Sequence, residues 1–305
     1  MKNVLVFPGQ GSQSVGMMNG FTSSHVQDIF NEASDIVGEN LFDLIIEDNE
    51  KINQTIYTQP LMLVAGYATY QLLKSKKPDL NIDYLAGHSL GELTAALVGN
   101  VFSFQDAVKI VHKRAQLMQD AVPPGEGAMA AILGLDDHVV EAICLAHQSK
   151  GVIEPVNYNS PGQIVIAGEK KLLEDILPEF KEKGAKRALM LPVSVPSHCS
   201  LMKEAEIQFA DFLNNIVFKD PIVPIIQNVT AKPVTQGNEI KSNLIAQLSS
   251  PVQWTASIRY LESCGIDSII ECGPGKVLTG LNKRIVSSEG LKMLAINSDE
   301  SFNEF

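Results

Sequence analysis

Four short runs, VLVF at 4–7, YLAG at 84–87, IVPII at 222–226 and SIIEC at 268–272, are largely apolar along successive positions instead of at every second one. A strand of that kind must be covered on both faces. Helix-period segments lie between the runs and supply the crossovers that parallel neighbours require. The chain is therefore constrained to an α/β core around a parallel sheet. With 305 residues, 45% of them hydrophobic, it can bury one large core, or a large one and a small one.

From about 128 to 195 the rhythm changes. The pattern predicts a strand (MAAILG), a helix over 138–149, a strand (VIEPVN), a turn at Asn159-Ser160-Pro161-Gly162, a strand (QIVIAG), a helix over 170–184 and a strand (RALMLPV). The order β-α-β-β-α-β is that of a ferredoxin-like unit. Val122-Pro123-Pro124-Gly125 before it and the stretch Pro192 to Pro196 after it are expected hinges, because proline stops regular structure. The expected architecture is a larger α/β-hydrolase-like core with a parallel sheet, formed by 1–125 and 198–305, with an inserted ferredoxin-like (βαββαβ) small domain over 126–197. No internal repeat or low-complexity tract is evident.

Charge and cysteine usage exclude several classes. Thirty-five acidic residues against 24 basic ones leave a formal charge of -11, which disfavours nucleic acid or anionic membrane as a partner. The N-terminal apolar run stops at Pro8, too short for a signal-peptide core, and no segment reaches the length of a membrane span. Cys144, Cys199, Cys264 and Cys272 lack paired C-x-x-C spacing, so no zinc or redox site and no disulfide framework is expected. A cytoplasmic enzyme without a metal is the expectation.

Gly87-His88-Ser89-Leu90-Gly91 matches G-x-S-x-G between a predicted strand and the helix-like run ELTAALVGN. A serine on a tight strand-to-helix turn is lifted clear of the sheet, and the helix N-terminus favours a developing oxyanion. Ser89 is the candidate nucleophile. It needs a base, since an unperturbed serine is weak at neutral pH. His88 adjoins it but points to the other side of the chain, as a packed or hydrogen-bonded neighbour would. His112, His138 and His147 fall in predicted helices, and His25 lies at a helix start. His198 follows the constrained approach Pro192-Val193-Ser194-Val195-Pro196-Ser197, which would hold a side chain at a defined place.

In SFQDAVKIVHKRAQLM, Phe104, Ala107, Val108, Val111, Ala115 and Met118 form an apolar stripe, and Arg114 lies on its margin. An arginine held against a core must find an anion, and its planar fork suits a carboxylate. A structural salt bridge, or a stem running past the core to solvent, fits the same spacing. Gly9-Gln10-Gly11 does not complete G-x-G-x-x-G, and Gly273-Pro274-Gly275-Lys276 lacks the spacing of a P-loop, so neither is a nucleotide phosphate cradle. Amides of the first loop suit an oxyanion hole instead.

Motifs in order along the chain carry a resemblance: FPGQGSQ at 7–13, TQP at 58–60, GHSLGE at 87–92, KRAQLMQ at 113–119, NYNSPGQIVIAG at 157–168, PVSVPSH at 192–198, QLSSPVQW at 247–254 and GPGKVLTGL at 273–281. The chain resembles the malonyl-CoA:acyl carrier protein transacylases of type II fatty acid synthesis and, more distantly, the acyltransferase domains of polyketide synthases. The resemblance implies Ser89 as the acylated nucleophile and His198 as general base. It implies the backbone amides of Gln10 and Leu90 as oxyanion hole, Arg114 as the partner of the malonyl carboxylate, and the backbone carbonyl of Gln247 as the group orienting His198. Met118, Asn157, Asn159 and Ser197 match positions near the acyl pocket. A Ser-His dyad held by a main-chain oxygen is coherent with a sequence offering no obvious third acidic member. The implied partners are malonyl-CoA and acyl carrier protein, with no cofactor. An acidic carrier would need a basic patch, for which Lys186, Arg187, Lys276, Lys283 and Arg284 are candidates. A serine esterase or thioesterase of the α/β-hydrolase type shares G-x-S-x-G, but its histidine sits near the C-terminus. Two further rivals are a trans-acting polyketide acyltransferase and a non-catalytic carrier-binding module.

Overall fold

The computed structural model describes residues 1–193 and 195–304, so Ser194 of the second expected hinge lies outside the described residues. The strands, in chain order, are β1 (Asn3–Phe7), β2 (Tyr84–Gly87), β3 (Gly127–Leu133), β4 (Ile153–Ser160), β5 (Gln163–Glu169), β6 (Arg187–Met190), β7 (Ile225–Ile226), β8 (Pro233–Val234), β9 (Ser268–Cys272) and β10 (Lys292–Ile296). The molecule is a mixed α/β fold. Its larger sheet has the order β10-β9-β1-β2-β7-β8 and is parallel throughout except for β8, which runs antiparallel to β7.

Consecutive apolar residues do what two-sided coverage demands. In β1, Leu5 and Phe7 join the larger core cluster on one face, while Val4 and Val6 join a second cluster with Trp254 and Ile258 on the other. All four side chains are fully buried. The helix Thr55–Lys76 lies in the larger cluster and contributes Leu61, Met62, Leu63, Val64 and Ala65 to it. Two expectations need correcting. The run 222–226 pairs only at Ile225–Ile226, since Pro224 has no N–H to give and Ile222 is turned to solvent. The strands β8 and β10 have no counterpart in the sequence pattern: β8 is two residues long, and β10 is a half-exposed edge whose lysine and alanine dilute the apolar signal.

The second sheet, β4-β5-β3-β6, is antiparallel. The helices Asp137–His147 and Lys170–Glu182 connect its strands in the order strand-helix-strand-strand-helix-strand and share a core with it that includes Ile132, Ile164, Ile166 and Phe180. Both helices end about two residues earlier than predicted, the first passing into a 3-10 turn at Gln148–Lys150. The turn between β4 and β5 is shorter than the four residues expected. Asn159 and Ser160 extend β4, leaving Pro161 and Gly162, with Gly162 at φ 70°. The edge strand β4 is laced to the larger unit by Tyr158 N–H to Val252 O at 3.0 Å and Val252 N–H to Val156 O at 2.8 Å. No helix is long and apolar enough, among the described residues, to cross a membrane.

The turn from β2 into the helix Leu90–Val98 is close-packed backbone on backbone. A Cβ on Gly91 would lie 2.1 Å from the carbonyl oxygen of Phe7, and one on Gly87 would lie 1.9 Å from Gly91. Backbone cannot move aside as a flexible side chain can. Gly91→Ala should therefore lower stability by about 3 kcal/mol or more. Gly280→Ala, in an exposed helical position with nothing near its Cβ, should be neutral or raise stability by up to about 1 kcal/mol. Chemical denaturation of both variants checks the contrast.

Candidate active site

Ser89 sits between β2 and its helix with φ 52° and ψ −113°, a conformation uncommon for any residue but glycine. Such strain costs roughly 1–3 kcal/mol and must be held by surrounding bonds. Asn228 supplies them: its Oδ1 accepts from Ser89 N–H at 2.7 Å, and its Nδ2 donates to Gly87 O at 2.6 Å. Because Ser89 N–H is thus occupied, an oxyanion would have to use other amides. Leu90, the first residue of the helix, and Gln10 both line the cleft in front of Ser89.

His198 also has a positive φ, 68°, and its N–H is bonded to Leu248 O at 3.0 Å. Its Nε2 is 2.7 Å from Ser89 Oγ, and its Nδ1 is 2.7 Å from the backbone carbonyl of Gln247. A carbonyl only accepts, so Nδ1 carries the ring proton and Nε2 presents a lone pair to the serine. Burial, reinforced by the nearby Arg114 charge, pulls the imidazole down to about 3. The neutral ring is the form that can take a proton. The other histidines are elsewhere. His88 packs at a tilt against Trp254 and faces Asn159 Oδ1 at 2.7 Å, His112 contacts Gln116, His147 pairs with Glu179, and His25 and His138 are exposed on helices.

Arg114, on the helix Phe104–Asp120, is only 2% exposed. Its guanidinium donates to Gln59 Oε1 at 2.5 Å, Gln247 Oε1 at 2.7 Å and Ser89 Oγ at 3.2 Å. All three acceptors are uncharged, and none of the ion pairs among the described residues involves Arg114. Burial lowers it to about 10, so it remains a cation near neutrality. A buried cation 3.2 Å from a serine hydroxyl, with no carboxylate in hydrogen-bonding contact, has the chemistry to accept an anionic group.

The cleft is small, with a cavity volume of about 110 Å³. Gln10, Ser89, Leu90, Arg114 and His198 line it, together with Met118, Asn157 and Ser197. Asn157 leaves a buried side-chain oxygen there without a protein partner. Asn159 is not on the cleft wall and sits behind His88. Gln59, Glu92, Asn228 and the side chain of Gln247 belong to the site, yet the sequence assigns them no role. Gln59 and Glu92 stand inside the motifs TQP and GHSLGE, whereas Asn228 carries no signal. The first glycine loop packs on the elbow, since a Cβ on Gly9 would meet His88 O at 2.5 Å. The five candidate basic residues are all exposed. Among the described residues, no group of three or more His, Cys, Asp or Glu side chains gathers to hold a metal.

The low proton affinity of His198 has a measurable consequence. Titrated by NMR, its ring should stay neutral from pH 8 down to about 5, with no inflection near the usual histidine value of about 6.5. An inflection there would mean that the ring is hydrated and not held dry against Arg114.

The profile of the acyl transferase domain family matches residues 4–297 of the chain. The malonyl CoA-acyl carrier protein transacylase of Haemophilus influenzae is 46% identical over 305 residues, covering 99% of this chain and 97% of that protein. That of Escherichia coli K12 is 47% identical over 289 residues, covering 93% and 92%. Among solved structures, an acyl carrier protein S-malonyltransferase from Vibrio cholerae superposes with a TM-score of 0.95 at 45% identity, covering 100% of this chain and 99% of that one. A malonyl-transacylase solved with its type II polyketide acyl-carrier protein has the same TM-score at 41% identity, covering 99% and 98%. With the profile spanning nearly its whole length and such relatives covering it almost end to end, the chain belongs to the acyl transferase domain family, alongside these transacylases.

Proposed function

We propose that this protein transfers the malonyl group from malonyl-CoA to the phosphopantetheine thiol of acyl carrier protein, supplying malonyl-acyl carrier protein for fatty acid synthesis. The observation that carries the reading is the buried Arg114 guanidinium, without a carboxylate partner and 3.2 Å from Ser89 Oγ. The relatives' names supply the acyl group and the carrier. No metal or cofactor is required, because each step moves only a proton and an acyl group.

In the first half-reaction, Ser89 Oγ attacks the thioester carbonyl while His198 Nε2 takes the hydroxyl proton. The oxyanion is met by the amides of Gln10 and Leu90, and the Gln247 carbonyl stabilises the imidazolium through Nδ1–H. Collapse breaks the C–S bond, and His198 returns the proton to the departing coenzyme A thiolate. The carrier's thiol then attacks the malonyl-serine ester with the same proton path reversed. Met118, Asn157 and Ser197 are assigned to the surroundings of the acyl chain, and Asn159 acts from behind them by holding His88.

The finer fold assignment accompanies this function: an α/β-hydrolase-like core of 1–125 and 198–305 with a ferredoxin-like insert over 126–197. What supports it is the strand-helix-strand-strand-helix-strand order of the insert and its separate apolar core. A cytoplasmic location is consistent with four free cysteines, three of them buried.

Incubation with malonyl-CoA should add the mass of one malonyl group to the intact protein, and Ser89→Ala should remove that adduct. Release of free malonate without an adduct would point to an esterase. Arg114→Ala should cut malonyl transfer by about 30-fold or more, because a buried charge-assisted pair is worth roughly 2–5 kcal/mol. Acetyl transfer should hold or rise, as acetyl-CoA has no carboxylate to leave unpaired. A parallel fall in kcat/KM for both thioesters would make Arg114 structural.

A further inference from the structure

Gln247 connects the two halves of the site, and its side-chain amide can sit two ways round. As observed, Oε1 accepts from Arg114 at 2.7 Å, while Nε2 donates to Ser89 O at 3.0 Å and to Glu92 Oε2 at 2.8 Å. Turned over, the amide would set N–H against the guanidinium and oxygen against three oxygens, those of Ser89, Glu92 and, at a longer 3.4 Å, Asn228 Oδ1. The acceptors on the Nε2 side therefore decide which way it sits. Ser89 O is a neutral carbonyl already bonded by Glu92 N–H at 3.0 Å. Glu92 is the acidic acceptor, fully buried in the first turn of the elbow helix, with Oε2 pinned by Asn228 N–H at 3.0 Å.

Building on the malonyl reading above, we infer that Glu92 is a positioning residue for substrate selection: through the Gln247 amide it holds the Arg114 fork in place for the malonyl carboxylate. Its location explains how an acid can do this without blocking the site. In direct contact with Arg114 a carboxylate would compete with the substrate; one amide removed, it orients the fork and leaves it open. The partner is the accepting oxygen and not the charge. Glu92 Oε1 is buried without a hydrogen-bond partner, so a proton there leaves Oε2 free to accept. Burial pushes Glu92 up to about 7, opposed by the bonds from Asn228 and Gln247 and by the Arg114 charge, so both forms are present near neutrality.

The test measures kcat/KM for malonyl and acetyl thioesters with the wild-type enzyme, Glu92→Leu and Glu92→Gln. Glu92→Leu removes the acceptor and should lower malonyl transfer about 10- to 100-fold, the cost of leaving a buried N–H without its acceptor, chiefly through KM. Acetyl transfer should also fall, because Asn228 N–H loses its acceptor beside the elbow, but by a clearly smaller factor than malonyl transfer, because it does not use the fork. Glu92→Gln keeps a side-chain oxygen for both N–H groups and should restore most of the malonyl-to-acetyl ratio. If Glu92→Leu does not fold, Glu92→Asp, which withdraws the carboxylate by one methylene, should still lower that ratio. A parallel loss of both substrates, a Gln variant as poor as Leu, or an Asp variant with the wild-type ratio would each overturn the inference. A wild-type protein that takes no malonyl at all would instead overturn the proposed function itself.

Discussion

Gln247 is asked to satisfy two groups at once. Its main-chain oxygen fixes the tautomer of His198, and its side-chain oxygen fixes the guanidinium of Arg114, while its Nε2 reaches the carbonyl of the strained serine. His198, Arg114 and Ser89, which the proposed reaction uses as base, anion receptor and nucleophile, therefore share one residue as their common support. The rest of the site is organised so that this residue cannot move. It is fully buried, in a short 3-10 segment after the helix Gly237–Ala246, and the neighbouring Leu248 carbonyl holds the His198 backbone. In the proposed reaction, a displacement of the Gln247 main chain would be felt by both half-reactions, and one of its side-chain amide chiefly by acyl selection.

The electrostatics follow from dryness. Arg114, His198 and Glu92 are all out of water, and burial is the largest influence on each. It keeps the histidine neutral, leaves the arginine a cation bonded to neutral amides and a hydroxyl, and pushes the glutamate up to about 7. In such surroundings an incoming carboxylate gains far more from the guanidinium than it would in solvent. The same surroundings make an empty site costly. That cost and the strained φ of Ser89 and His198 are carried by the sheet, the elbow glycines and the Asn228 bonds.

The two sheets divide the work. The parallel sheet delivers Ser89 at the end of β2, and the antiparallel sheet brings Asn157 and Met129 to the cleft. The backbone bonds between β4 and Val252 keep the second sheet seated near Trp254 and His88. Asn159 on the same strand then anchors His88, keeping that ring away from the serine hydroxyl.

What could be read from the chain alone was whatever is encoded locally. The buried strands β1 and β2 are continuous apolar runs and β9 is nearly so, the elbow is a glycine-flanked serine between a strand and a helix, and the insert is a change of rhythm, so nearest neighbours suffice to find them. Strand β8, too short to form a pattern, and the edge strand β10, with its diluted signal, were not legible, and the proline in 222–226 broke a strand that apolarity alone predicted. The residue types at the site left His198 and Arg114 with rival readings, and only the ordered motifs of a known family narrowed them. The amide network was decided by tertiary structure. Gln59, Asn228 and Gln247 meet Arg114 and Ser89 across long stretches of chain, and a neutral amide has no sequence signature because its role depends on which oxygen or nitrogen it faces after folding. The buried Glu92 is the sharpest case: by sequence it is an ordinary first-turn acid, and only the packing of distant segments around it makes it a partner of Gln247.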